Sequence, residues 1–355
     1  MAELNFRADL KLADRTLAKM EASVAAKAED GMRPHLGASL IGRECERQLW
    51  YTFRWAKKAE HAPRLLRLFA RGQREEAILI DLLKQAGVNV VDTDANTGKQ
   101  FTFSAIGGHF GGSMDGACQG IEESREWHCL EFKTHNKKSF DDLIKKGVQQ
   151  AKPEHYAQMV CYLGWTGMQR ALYMAVCKDD DRLHLERIDA DPAYFERLMN
   201  KAERVVTAQE PPERINDDPS WYQCKWCDYS PICHGDAVPL PTCRTCCHST
   251  PELNGEARWS CSRHGSDLSV ADQKSGCQAH LIIPALLKNW AELQDASLPE
   301  NWVQYEHKAT EKFFRNGLPF ECYQSVEIHA MEDKRGLTDE GVAAFRKAFE
   351  AKVVA

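Results

Sequence analysis

The apolar positions of this chain change period several times, and each change marks an element. From Pro63 to Gln85, Leu65, Leu68, Phe69, Ile78, Leu79 and Leu82 recur at helical spacing and predict an amphipathic helix. Strand-like stretches follow at 88–92, 99–106, 109–118 and 127–133, with Gly107-Gly108 and Gly111-Gly112 bending the chain between or within them. The pattern then predicts helices over 138–147 and 153–166, strands over 170–177 and 182–188, and a helix from Pro192 to Ala208. Upstream, Ser39 is a candidate N-cap for a helix carrying Cys45, Arg47, Trp50 and Tyr51. Helix, antiparallel strands, helix pair and strand, in that order, predict a mixed α/β core. Pro211-Pro212 and Asp217-Asp218-Pro219 mark its end. Over 221–280 periodicity is weak and Cys, Pro, Gly and His concentrate, as in small metal-stapled modules. Past 281 the pattern predicts a helix, a hairpin around Gly317 and a C-terminal helix over 338–352. Four regions result: an arm over 1–34, a core over 35–235, a Cys-rich module over 236–282 and a C-terminal region over 283–355 with no assigned role.

At 355 residues the chain is long enough for two or three domains, and 43% apolar with 28% charged residues is an ordinary globular balance. No apolar run approaches the roughly 20 residues that span a bilayer, so no membrane is expected. The start, Met-Ala-Glu-Leu-Asn-Phe-Arg, lacks a signal-peptide core, which predicts a cytoplasmic protein (host cytoplasm if phage-encoded). In that compartment fourteen cysteines point to metal ligation rather than disulfides. The net charge of −6 does not advertise nucleic acid. Its distribution does so better, since residues 33–74 hold ten Lys/Arg against three Glu, enough to hold phosphates on one face. A solvated helix surface is the alternative.

The candidate chemistry lies in Gly112-Ser-Met-Asp115-Gly and in Glu131-Phe132-Lys133. Side chains two apart on a strand share a face, so Glu131 and Lys133 point the same way. A hairpin pairing the two stretches would bring Asp115 alongside. Two carboxylates beside an ammonium suit a divalent cation and attack of water on a phosphodiester. Asp115 and Glu131 would hold one or two cations, and the backbone carbonyl of Phe132 would add an oxygen. Lys133 would orient or deprotonate the water, or stabilise the pentavalent transition state. Upstream, Gly72-x-x-x-Glu76 offers a further carboxylate. Downstream, Gln158 and Tyr162 lie at i and i+4 on one helix. Gln158 is a candidate partner for Lys133 or a phosphate, and Tyr162 either touches DNA backbone or packs. Seen alone, Glu131–Lys133 is a surface ion pair, Asp115 a turn residue and Glu76 a solvated position.

This ordered set resembles the PD-(D/E)XK nuclease superfamily, particularly its RecB-like and phage exonuclease branches. The resemblance covers about residues 35–205. It implies a restriction-endonuclease-like α/β fold, with a central mixed sheet flanked by helices, to which a small Cys-rich metal-binding module is added. It also implies a Mg²⁺- or Mn²⁺-dependent deoxyribonuclease, most simply an exonuclease of recombination or repair that leaves a 5′-phosphate. The expected partners are DNA and a recombination or helicase protein. Many iron–sulfur RecB-like nucleases carry His at the helix position where this chain has Glu76. Phage-type exonucleases such as the lambda enzyme resemble it better there. The alternatives are an endonuclease or end-trimming nuclease of a larger complex, and a catalytically silent DNA-binding or assembly factor.

Cys224-x-x-Cys227-x5-Cys233 offers three thiolates, and a closed tetrahedral site needs a fourth ligand, for which Cys45 is the candidate. This set resembles the iron–sulfur staple of AddAB-type helicase–nucleases and implies a [4Fe–4S] cluster closing the nuclease core. Zn²⁺ on the same ligands and free cysteines are the alternatives. A second quartet, Cys243-x-x-Cys246, Cys261 and Cys277, has the spacing of a zinc-ribbon-like knuckle, with Cys247, His248 and His264 as additional candidates. Zn²⁺ is the economical ion there, and a second iron–sulfur cluster the alternative. Arg244, Arg258, Trp259 and Arg263 are candidate DNA contacts in this module.

Overall fold

A computed structural model describes residues 6–28 and 30–354, and of residues 6–13 the backbone only. Residues 1–5 and 29 of the expected arm, and residue 355, lie outside the described residues. In chain order the helices are α1 (Phe6–Ala25), α2 (Glu46–Phe53), α3 (Pro63–Gln85), α4 (Lys137–Ala151), α5 (Pro153–Thr166), α6 (Pro192–Thr207), α7 (Tyr222–Lys225), α8 (Ser230–Cys233), α9 (Val270–Ser275), α10 (Ser325–Ala330) and α11 (Glu340–Phe349). The strands are β1 (Leu36–Gly37), β2 (Asn89–Val91), β3 (Phe101–Ala105), β4 (Phe110–Met114), β5 (Gly116–Ile121), β6 (Ser124–His135), β7 (Arg170–Cys177), β8 (Leu183–Asp189), β9 (Ser249–Pro251), β10 (Trp259–Cys261), β11 (Ser266–Leu268), β12 (Ala291–Ser297), β13 (Trp302–His307) and β14 (Lys312–Gly317). The chain divides into two units, one of residues 1–32, 59–103 and 113–192, the other of 33–58, 104–112 and 193–355.

The first unit is built on a five-stranded mixed sheet of order β2-β5-β6-β7-β8. β2, β5 and β6 pair antiparallel, β6 and β7 parallel, and β7 and β8 antiparallel. The parallel step needs a crossover, which α4 and α5 supply. α3 starts at Pro63, whose missing N–H falls where a helix needs no internal partner. Its Leu79, Ile80 and Leu83 pack with Cys118, Leu130, Phe132, Leu172, Met174 and Val176 in one apolar cluster. Alternation along β6 sends Leu130 and Phe132 into that cluster. Glu131, Lys133 and His135 therefore lie on the other face.

The second unit carries two antiparallel three-stranded sheets, β9-β10-β11 and β12-β13-β14. Its core includes Trp50, Phe53, Trp55 and Trp259, and two fully buried guanidiniums, Arg54 and Arg244. Arg244 Nε donates to Gln273 Oε1 at 2.9 Å, Nη1 to the Phe53 carbonyl at 2.9 Å and Nη2 to the Pro34 carbonyl at 2.9 Å. Its guanidinium lies 3.6 Å from the ring centre of Trp55. Arg244 and Trp259 are both 0% exposed, so neither is a DNA contact as the sequence pattern had it. Arg258 is tied to Asp267 at 2.6 Å.

Two local expectations also change. α2 starts at Glu46, with Cys45 extended before it, because residues 37–43 close successive turns through Leu40 N–H to Gly37 O and Arg43 N–H to Leu40 O. The hairpin of β13 and β14 turns at Lys308–Glu311, where Glu311 N–H reaches the His307 carbonyl, and not at Gly317. Gly317 instead sits opposite Trp302, where a Cβ would stand 2.5 Å from the Asn301 carbonyl oxygen. That position signals close backbone approach rather than a turn.

Candidate active site

Asp115 is the single residue between β4 and β5. Gly116 after it has φ 153°, and a Cβ there would meet the Val91 carbonyl oxygen at 2.9 Å. Glycine therefore lets β5 begin immediately after Asp115. Gly116 is paired with Leu130, and this register sets Asp115 beside Glu131. Asp115 Oδ2 accepts the Phe132 N–H at 2.9 Å. Lys133 Nζ donates to Glu131 Oε1 and, at 3.2 Å, to the Phe132 carbonyl. Three side chains and one carbonyl from neighbouring strands are thus gathered at one place. Glu76 of α3 accepts from Gln100 Nε2 at 3.2 Å and lies within electrostatic reach of Asp115 and Lys133.

Burial loads this group with electrostatic tension. The Glu131 side chain is 0% exposed, and among the described residues its Oε2 has no hydrogen-bond partner. Burial pushes its carboxyl up to about 8, against the opposing pull of Lys133 and with the Asp115 charge adding. Asp115 is raised by burial, with Lys133 and the Phe132 N–H opposing. Glu76 is raised by burial and by the Asp115 charge. For Lys133 burial disfavours the ammonium, but Glu131 and Asp115 outweigh it and the pKa rises. A carboxylate is an acceptor with about four lone-pair sites. A buried carboxylate oxygen without a partner is one that a hard cation would satisfy.

Gln158 and Tyr162 are both buried, and their side chains bond each other. Gln158 Nε2 donates to Tyr162 Oη at 2.9 Å, and that hydroxyl donates to the Ser113 carbonyl at 2.6 Å. The pair pins α5 to the residue two before Asp115, and Tyr162 packs at 2% exposure.

Motif spacing did not reveal a polar chain on the same sheet face. Lys152 Nζ donates to Ser139 Oγ at 2.7 Å, and Ser139 Oγ lies 3.1 Å from His135 Nδ1. His135 Nε2 lies 2.8 Å from Tyr173 Oη, which lies 3.0 Å from His155 Nδ1. Burial, then the Lys152 and Lys133 charges, push His135 down to about 4. Burial, then Lys133 and His135, push His155 down to about 3. Both rings are neutral near pH 7. Three signals point to the chain: His135 continues the 131–133 alternation, Tyr173 is in register with Glu131, and His155 precedes Gln158 by three.

In the second unit Cys45, Cys224, Cys227 and Cys233 line one pocket with Arg47, Tyr51, Arg214 and Tyr229. Burial raises the Cys224 and Cys227 thiols, and Cys45 and Cys233 add to the rise in both. Cys243, Cys246, Cys261 and Cys277 line another pocket with His248 and His264. Cys243 is pushed up to about 12 by burial, then by Cys246, Cys277 and Cys261. Cys277 Sγ lies 3.7 Å from His264 Nε2, and Cys243 Sγ donates to the Asp272 carbonyl at 3.4 Å. Among the described residues no three His, Cys, Asp or Glu side chains stand in a ready-made metal cage.

Comparison with known proteins agrees with this fold. A family model described as the PD-(D/E)XK nuclease superfamily matches residues 6–234, and the chain belongs to that superfamily. No curated protein matches it. Among solved structures it is similar to LHK-Exo in complex with dAMP, at 17% identity and TM-score 0.37, covering 53% of this chain and 90% of that one. It is also similar to the alkaline exonuclease LHK-Exo from Laribacter hongkongensis, at 18% identity and TM-score 0.35, with the same coverage. Among the described residues no helix is long and apolar enough to cross a membrane.

Proposed function

We propose that this nuclease is a divalent-metal-dependent DNA exonuclease whose active group is Asp115, Glu131 and Lys133. The observation that carries the proposal is the fully buried Glu131 with one oxygen unpartnered among the described residues, beside Asp115, a half-buried carboxylate whose pKa is raised by burial, and a lysine. Hard oxygen donors of this kind fit Mg²⁺ or Mn²⁺. Asp115, Glu131 and the Phe132 carbonyl would hold the cation, with Glu76 as a further ligand. When bound it would lower the pKa of an attacking water and neutralise charge on the scissile phosphate. Lys133, ordered by Glu131 and the Phe132 carbonyl, directs its remaining proton at the developing charge or the water. Gln158 and Tyr162 hold the strand before Asp115 in place.

Cys45, Cys224, Cys227 and Cys233 would carry a [4Fe–4S] cluster as a mechanical staple closing a nuclease core over 35–235. Four cysteines lining one pocket, with the Cys224 and Cys227 thiols raised by burial, support this assignment. By the same argument Cys243, Cys246, Cys261 and Cys277 would hold a structural Zn²⁺ in the module over 236–282. A cytoplasmic, phage-type role in recombination or repair, beside a recombination or helicase protein, completes the proposal.

The test is Mg²⁺-dependent cleavage of linear and circular DNA by the anaerobically purified protein and by Asp115→Asn and Lys133→Ala variants. Cleavage of linear DNA alone, lost in both variants, is the expected result. Retained activity in both folded variants refutes the site, and cleavage of circles makes the protein an endonuclease. Iron and zinc analysis with a visible absorption spectrum checks the cysteine assignments.

A further inference from the structure

Beside the polar chain, an open cleft in the first unit is lined by Asn136, Lys138, Ser139, Lys145, Lys146 and Lys152, with Asp141 and Asp142. Its two acids are committed. Asp141 pairs with Arg182 at 2.7 Å, and Asp142 with Lys146 one helical turn on at 2.8 Å. Among the described residues Lys138, Lys145 and Lys152 enter no ion pair. The cleft therefore carries surplus positive charge that the protein does not neutralise. Lys152 is not a freely waving surface lysine. It is half-buried, held by Ser139 Oγ at 2.7 Å, and Ser139 is held in turn by His135 and by Asn136, whose side chain accepts the Ser139 N–H at 2.8 Å. His135 is two residues along β6 from Lys133, about 7 Å on the same sheet face. One ordered ammonium group, that of Lys152, is thus tied by a short hydrogen-bonded chain to the strand that carries Glu131 and Lys133.

We propose that this cleft seats internal phosphates of the DNA strand, neighbours of the phosphate being cut, with Lys138, Lys145 and Lys152 as the contacts and Ser139 as the positioning residue for Lys152. The proposal rests on the DNA nuclease reading and adds how the substrate is held. Each phosphate neutralised by a lysine releases condensed counterions, so it contributes to the salt dependence of binding without reading sequence. Lysine acts here as a point charge, tolerant of the changing orientation of a strand that moves after each cut.

The test is binding of a labelled duplex by anisotropy, with Ca²⁺ in place of Mg²⁺, between 50 and 200 mM salt. In K138Q/K145Q/K152Q affinity should fall about tenfold or more, and the slope of log affinity against log salt should shrink by roughly two to three. Ser139→Ala should give a smaller loss of the same kind. Unchanged affinity and slope in a folded triple variant that still cleaves overturns the cleft but not the nuclease. An equal loss in K288Q/K347Q/K352Q, three exposed lysines of the other unit, overturns it as mere net charge. A loss seen only with 5′-phosphorylated ends, and not with 5′-hydroxyl ends, overturns internal phosphates in favour of a terminal one. If the unaltered protein neither binds nor cleaves DNA, both proposals fall together.

Discussion

Lys133 and Arg244 are both cations withdrawn from bulk water, one in each unit, and they are housed in opposite ways. Lys133 stands among carboxylates of which one is short of a partner: among the described residues nothing bonds Glu131 Oε2, and burial pushes Glu131 up to about 8. Among the described residues Arg244 meets no carboxylate. Its three nitrogens are taken by two backbone carbonyls and a glutamine, and its flat faces lie against Trp55, Trp259 and Phe53. The first arrangement is electrically unfinished and can be completed by a cation and a phosphate. In the second every guanidinium nitrogen has a protein partner and the group is sealed in the core, out of a ligand's reach. Incomplete satisfaction, rather than burial of charge as such, separates the candidate active group from architecture.

The comparison breaks most sharply at Asp115. Asp115→Asn should lower Mg²⁺-dependent cleavage by about 10³-fold or more. Its melting midpoint should stay the same or rise, because the amide keeps an acceptor for the Phe132 N–H and removes a charge that burial disfavours. A lower midpoint with intact cleavage would make Asp115 structural. Arg244→Met should do the reverse. It strands two carbonyls and a glutamine and should cost about 3 kcal/mol or more in denaturant melts, with cleavage per folded molecule unchanged.

A smaller effect concerns pH. His280 in the second unit donates from Nε2 to the Thr242 carbonyl at 2.9 Å, with Nδ1 2.8 Å from Ser325 Oγ, and burial pushes it down to about 4. An unfolded histidine titrates near 6.5, so below that pH the unfolded chain takes up the proton and the folded one does not. The stability contribution is present above about 6.5 and is lost as pH falls toward 4, on the order of 3 kcal/mol in all. Denaturant melts across that window should flatten in His280→Gln. The smallest expected effect is at Glu340, whose bond to Lys312 is solvent-exposed at both ends. Glu340→Ala should leave the melt unchanged, since such pairs contribute little.

The elements were legible where packing imposes a strict period. α3 spans Pro63–Gln85 and β7 Arg170–Cys177, as the apolar spacing indicates, because each lies against one continuous core. The gathering of Asp115, Glu131 and Lys133 was legible because strand alternation and hairpin register are local rules. The start of α2 was not, since turns close before Ser39 can cap anything. Nor was Gly317, whose conformation answers to the Asn301 carbonyl rather than to its own neighbours in sequence. Arg244 and Trp259 were misplaced at the surface for the same reason. Their environment is assembled from segments some two hundred residues apart, and a charged residue gives no local sign that it will be buried.

That long-range stitching bears on how the protein can be divided. The family match stops at residue 234, which makes a fragment ending there an obvious candidate for expression. Such a fragment would lack the guanidinium that grips the carbonyls of residues 34 and 53, and would leave the indole of Trp55 and the phenyl ring of Phe53 without it. Homology and autonomy part company at this point, since the segment recognisable by ancestry ends before the segment able to stand by itself.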